Sequence, residues 1–164
     1  MSVVTVVGNP EPRSRTYEAA AVVARGLTGA EPDRQVDVAD LGPGLLGWGD
    51  EGVQAAVEQL RSAELLVVAS PIYKATYNGL LTCLLDQVPS DGPAGVVAVP
   101  LMLGAGPGHA LAPDLLLKPV LVELGATCPT RGLYLLDSAY DEAALEAWLG
   151  RARGQVAAAR AGRG

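Results

Sequence analysis

Three segments of this 164-residue chain combine residue types that could do chemistry, and each follows a short apolar run. The first is Gly8-Asn-Pro-Glu-Pro-Arg-Ser-Arg-Thr16. It offers the side chains of Asn9, Ser14, Arg15 and Thr16 beside what reads as a helix start, a set that suits a dianionic phosphate. An ordinary helix cap by Ser14 or Thr16 would use the same letters, so this loop alone leaves the two readings even. It lacks both G-x-x-x-x-G-K-[ST] and G-x-G-x-x-G, which disfavours the nucleoside triphosphate and dinucleotide cradles built on those patterns.

The second segment is Ser70-Pro-Ile-Tyr-Lys-Ala-Thr-Tyr-Asn-Gly79. Two tyrosines stand here in a chain with five Tyr, two Trp and no Phe. A flat ring can flank a flat ligand, and backbone N–H groups around Pro71, Ile72 and Tyr73 could meet a heterocycle's edge. Packing of both tyrosines over a sheet end is the competing reading. The third segment, Leu103-Gly-Ala-Gly-Pro-Gly-His109, has three glycines that let backbone approach a ligand closely. His109 is the only histidine and fits a helix cap or surface position better than acid–base work. The sequence has no G-x-S-x-G elbow, no cysteine in a triad order and no metal-spaced cluster. Cys83 reads as a small hydrophobe and Asp86 as structural.

The elements that must position these segments follow from the periodicities. Val3–Val7, Leu65–Ala69 and Gly95–Leu103 read as strands buried on both faces, with shorter strands at Gln35–Val38 and Arg131–Leu135. Helical patterns cover Tyr17–Leu27, Val53–Ala63, Leu80–Val88, Ala110–Leu124 and Glu142–Arg163, and Gly42–Gly52 reads as a Gly-rich loop. Five strands alternating with helices predict an α/β fold: a parallel sheet with right-handed crossovers and helices on both faces. Such a sheet binds its ligand outside the carboxyl ends of the strands, so the loops after the first, third and fourth strands are the candidate site.

Composition bounds the rest. An apolar fraction of 49% is enough for a core, and the length suits one domain over residues 1–164. The formal charge is −6, which argues against a nucleic-acid surface spread over the chain. Residues 151–164 carry four arginines and no acid, and read as a basic helix end or tail. Two cysteines are too few for a disulfide framework, Met1–Gly8 does not read as a signal peptide, and no membrane span is expected. A reduced, cytoplasmic setting is the expectation. Ala110–Leu124 is apolar around nearly its whole circumference, which predicts burial by a second subunit, with Leu80–Leu85 in the same interface.

Taken together, residues 3–148 resemble the NADPH-dependent FMN reductases of flavodoxin-like fold, in particular the alkanesulfonate-type reductases that feed two-component monooxygenases. Ser70 through Asp86 is similar to their S-P-x-Y-x-x-x-Y-x-G-x-L-K-x-x-L-D stretch, and the first loop to their G-S-x-R-x-x-S-x-[ST]. The resemblance implies a three-layer sandwich with sheet order 2-1-3-4-5. It also implies FMN phosphate at Asn9, Ser14, Arg15 and Thr16, the isoalloxazine against Pro71, Ile72 and Tyr73, and Gly104, Ala105 and Gly106 over the ring. The implied activity is hydride transfer from NADPH or NADH to FMN, supplying reduced flavin to a monooxygenase or reducing an acceptor such as a quinone. The implied assembly is a homodimer or homotetramer. An FMN-binding electron carrier and a degenerate partner subunit without turnover are the rival readings.

Departures from the pattern are specific. Asn9 replaces a Ser, Glu11 an Arg, and Thr82 a Lys. Leu115 falls where those reductases carry an inserted Tyr that forms a π-helical bulge at their tetramer interface, and its loss points to a tightly held FMN or an altered assembly.

Overall fold

The computed structural model describes residues 1–138 and 142–162. Five strands, β1 (Val3–Val7), β2 (Arg34–Asp37), β3 (Leu65–Pro71), β4 (Val97–Gly104) and β5 (Leu133–Leu136), form one sheet in the order β2-β1-β3-β4-β5. Every pairing is parallel, with Val3 opposite Leu65 and Leu65 opposite Val97 in the central ladders. β-Branched runs buried on both faces account for the central strands: β1 is buried along its whole length, as is β4.

Alternation along the strands separates two cores. Val3 and Val7 face helices α1 (Arg15–Thr28) and α5 (Glu142–Ala161), while Val4 and Val6 face α2 (Glu51–Ser62), α3 (Gly79–Leu85) and α4 (Lys118–Glu123). The caps follow the sequence. Ser14, Asp50 and Asn78 accept from N–H groups of their own first turns, and Gly29 ends α1 in the left-handed region. Gly26 lets α5 approach α1 so closely that a Cβ there would lie 2.6 Å from Leu149 Cδ1.

The expected elements are all present, with corrected edges. β2 stops at Asp37, because Val38–Leu46 winds into 3-10 turns that break at Gly42, where φ is 52°. The first half of the expected Gly42–Gly52 loop is therefore helical. The final helix ends at Ala161, and Arg163 lies outside the described residues. Arg153 and Arg160 of the basic segment are engaged within the chain, by the Gly26 carbonyl at 2.7 Å and Glu64 at 2.9 Å.

The expected Ala110–Leu124 helix is in fact two pieces, a π-helix at Pro113–Leu117 and α4, and a 3-10 turn at Pro107–His109 precedes them. Pro119 has no N–H to return to the Leu115 carbonyl, so the Lys118 N–H reaches past the normal partner to the Pro113 carbonyl. Asp114 then anchors the wide turn by accepting from Gly132 N–H at 2.8 Å. The π-helix is thus present without the inserted Tyr. Its outer face is not buried in the single chain: Leu115 is 66% exposed and Leu111, Leu116 and Val122 are also open, whereas Leu117 and Leu121 are buried.

Pro100 sits inside β4, opposite Val68. Its missing N–H lies on the β5 side, where Ala98 N–H reaches the Thr127 carbonyl at 2.8 Å and β5 pairs only from Leu101 onward.

Candidate functional site

The loops after β1, β3 and β4 all emerge at the carboxyl edge of the sheet. Asn78 ties the first two together. Its amide donates to the Gly8 carbonyl, its Oδ1 accepts from Leu81 N–H at 3.1 Å, and its own N–H donates to Ser70 Oγ at 3.1 Å. Gly8 is required by this contact, since a Cβ there would lie 2.4 Å from Leu81 Cβ. The third loop joins through Ile72 N–H, which donates to the Leu103 carbonyl at 2.7 Å.

In the first loop, Asn9 and Thr16 are buried and face each other, Asn9 Nδ2 donating to Thr16 Oγ1 at 3.3 Å. Asn9 Oδ1 accepts from Glu11 N–H at 3.0 Å, closing an Asx turn. Ser14 caps α1 by accepting from Tyr17 N–H at 3.3 Å. Arg15 sends Nη1 to the carbonyl of Asp137, past the end of β5, at 2.7 Å. Arg13 turns the opposite way. Its backbone N–H and Nη1 both donate to Asp37 Oδ2 at 2.8 Å, and Nη2 donates to Asp40 at 2.7 Å. Bonds to Asp40 and Asp37 raise its pKa, keeping the guanidinium charged. Arg13 holds a left-handed φ of 53° and its guanidinium carbon lies 5.4 Å from the Tyr17 ring centroid.

The cradle fits an anion. The N–H groups of Arg15 and Thr16, opening the 14-residue α1, have no protein acceptor among the described residues. Arg15 is occupied only by a neutral carbonyl, so its charge is uncompensated there.

The second loop is a tight antiparallel turn, in which Tyr73 and Thr76 exchange backbone hydrogen bonds of 2.8 and 3.1 Å. Its corners, Lys74 and Ala75, both have left-handed φ, at 50° and 68°, which is costly for residues with a Cβ. Tyr73 is 47% exposed. In the third loop, Tyr134 donates to the Gly106 carbonyl, and a Cβ on Gly104 would lie 2.1 Å from its hydroxyl oxygen. Burial and the nearby Asp137 push the Tyr134 pKa up, so it stays a donor. Gly106 and Gly108 border open space. Beyond them a cleft of about 450 Å³ is lined by Ala75, His109, Leu111, Leu115 and Leu116, among others, so the π-helix supplies one of its walls.

The ten expected site residues lie in these three neighbouring loops, at the first turn of α1, or, for Pro71 and Gly104, at the last residues of β3 and β4. Asp37, Asn78, Tyr134 and Asp137 support them and are not identifiable from motif spacing, because each acts across 24 or more residues. Burial pushes the Cys128 thiol up to about 11, so it is protonated at neutral pH, and no metal-holding group of His, Cys, Asp or Glu occurs among the described residues.

Sheet order and loop placement define the flavodoxin-like class. An archaeal flavodoxin superposes with a TM-score of 0.65 at 17% identity, covering 95% of this chain and 99% of that one. The pattern of the NADPH-dependent FMN reductase family matches residues 1–141, and the chain belongs to that family. It is 34% identical over 142 residues to the FMN reductase (NADPH) of Escherichia coli (strain K12), spanning 84% of this chain and 74% of that protein. The NADH-dependent FMN reductase SfnF of Pseudomonas putida is 34% identical over 90 residues, 55% of this chain and about half, 48%, of the relative. The apo form of an NADH:FMN oxidoreductase superposes with a TM-score of 0.82 at 30% identity, covering 98% and 89% of the two chains.

Proposed function

We propose that this chain is an NAD(P)H-dependent FMN reductase whose FMN spans the three loops. Asn9 and Thr16 shape the phosphate end, where Ser14, Arg15 and the open N–H groups of α1 bind the anion. Pro71, Ile72 and Tyr73 form one wall of the ring site, and Gly104, Ala105 and Gly106 the other. The observation that carries this reading is the pairing of two unused backbone donors and one uncompensated arginine with a strained, half-exposed tyrosine turn on the same sheet edge. The flavin supplies the redox chemistry when bound, accepting hydride from the reduced nicotinamide. The protein's part is to hold and orient both partners and exclude water, which needs no acid–base side chain.

Electrons pass to free flavin, a quinone or a partner monooxygenase, in the cytoplasm. No helix among the described residues is long and apolar enough to cross a membrane. The π-helix favours exchangeable flavin over a permanently held one, and the open Leu111, Leu115, Leu116 and Val122 face suits a second copy of the chain in a dimer or tetramer.

An absorption spectrum with and without added FMN, followed by anaerobic NADH or NADPH, tests the reading. Quenching of flavin fluorescence on binding and bleaching of the visible flavin band with either nucleotide are expected. A colourless protein that neither quenches FMN nor oxidises NAD(P)H with FMN present overturns it.

A further inference from the structure

Two arginines two positions apart meet opposite surroundings. Arg15 bonds a neutral carbonyl, whereas Arg13 is taken up by Asp37 and Asp40, each within 2.8 Å. Asp37 is 2% exposed at its side chain and also accepts from Ala39 N–H at 3.3 Å, so it is fixed at the end of β2. One guanidinium against two carboxylates leaves this cluster with a net charge of −1, and Glu11 adds another acid to the same loop. Arg13 directly precedes Ser14 and its own N–H is bonded to Asp37, so the cluster sits on the order of 10 Å from any anion bound at Ser14–Thr16, well inside the screening length of dilute buffer, about 30 Å at 0.01 M salt.

We propose that the Arg13–Asp37–Asp40 cluster sets flavin affinity: it withdraws Arg13 from the bound phosphate and opposes the phosphate's charge, so that FMN is released readily and acts as an exchanging substrate. This rests on the FMN reading above. Arg15 is then the cradle's working cation. The effect acts on the phosphate and not on the ring, which separates it from a merely structural role: riboflavin, identical except for the phosphate, is indifferent to it.

The test is a set of fluorescence-quenching titrations with FMN and with riboflavin, on the full chain and on Asp40→Asn and Glu11→Gln. Both acids are exposed, so these variants leave the fold intact; Glu58→Gln, an exposed acid in the second half of α2 and so toward the opposite edge of the sheet, is the charge control. In dilute buffer of about 0.01 M salt, removing one unit charge at about 10 Å from a dianion in high dielectric tightens FMN about threefold per variant, and the two changes add. Riboflavin affinity stays within about 1.5-fold, the control variant leaves both flavins unchanged, and the FMN gain shrinks as salt rises. Asp37→Asn moves FMN in the same direction. Unchanged or weaker FMN binding in Asp40→Asn, or a parallel change for riboflavin, overturns the proposal. A wild-type chain that binds neither flavin overturns the FMN reading itself, so the two failures are distinguishable.

Discussion

The phosphate loop and the tyrosine turn stand side by side on one sheet edge and are built in contrasting ways. In Gly8–Thr16 the turns are braced by buried side chains: Asn9 closes an Asx turn, Asp37 holds Arg13, Ser14 caps the helix and Asn78 grips Gly8. In Tyr73–Thr76 two backbone hydrogen bonds hold a corner whose residues, Lys74 and Ala75, would be cheaper as glycines. The first region is formed in advance and its donors wait for an anion. The second keeps strain and exposed aromatic surface that only a flat ligand or a neighbouring subunit would cover. Preorganisation is thus spent on the charged end of the ligand, and adaptability on the flat end.

That contrast can be broken from the rigid side first. Gly8→Ala drives a Cβ into Leu81, including its Cα at 3.0 Å, and costs about 2–3 kcal/mol as overpacking. Thermal unfolding would register this as a fall in Tm of about 4–10 °C. Asn78→Ala leaves the Gly8 carbonyl and the Leu81 N–H without partners at a buried site and loses the α3 cap, costing about 2 kcal/mol by urea denaturation. Tyr134→Phe removes only the donor to Gly106, so stability falls by about 1 kcal/mol and FMN titration shows weaker ring binding. The smallest effect lies in the adaptable turn. Ala75→Gly relieves the left-handed φ of 68° against a gain in unfolded-chain entropy, for a net stabilisation of about 0.5 kcal/mol and a Tm rise of 1–2 °C as an order of magnitude. If Ala75→Gly destabilises the chain, or Gly8→Ala is tolerated, the two regions are not built as described.

What could be read from the letters was whatever is local. The strand set, the sheet class and the three loops follow from apolar runs and glycine placement within a few residues. Long-range bracing does not: Asn78 and Gly8 are 70 residues apart, and Arg13 and Asp37 are 24 apart. Nothing in the sequence separates the roles of Arg13 and Arg15, because their difference lies in which strand end each meets. The π-helix was missed for a physical reason as well. An extra residue in a helical turn shifts the apolar pattern by about 100°, but a segment apolar around nearly its whole circumference hides that shift, and the informative residues were Pro119, which withholds a donor, and Asp114, which holds the turn from outside.

Pro100 bears on how such a sheet stays solitary. Between the Thr127 bridge and Leu133, β4 has no ladder partner on one flank; Val97–Pro100 are buried in the folded chain, so that flank is bare only until residues 127–136 dock, and a bare flank on an apolar strand is a template on which a stray segment can zip up. A proline placed there leaves a gap in the row of donors facing that opening, so an incoming strand would meet an interrupted ladder. The same residue that looks like a flaw in a central strand protects a newly made chain, rich in Val and Leu, from joining its neighbours edge to edge before its last strand has docked.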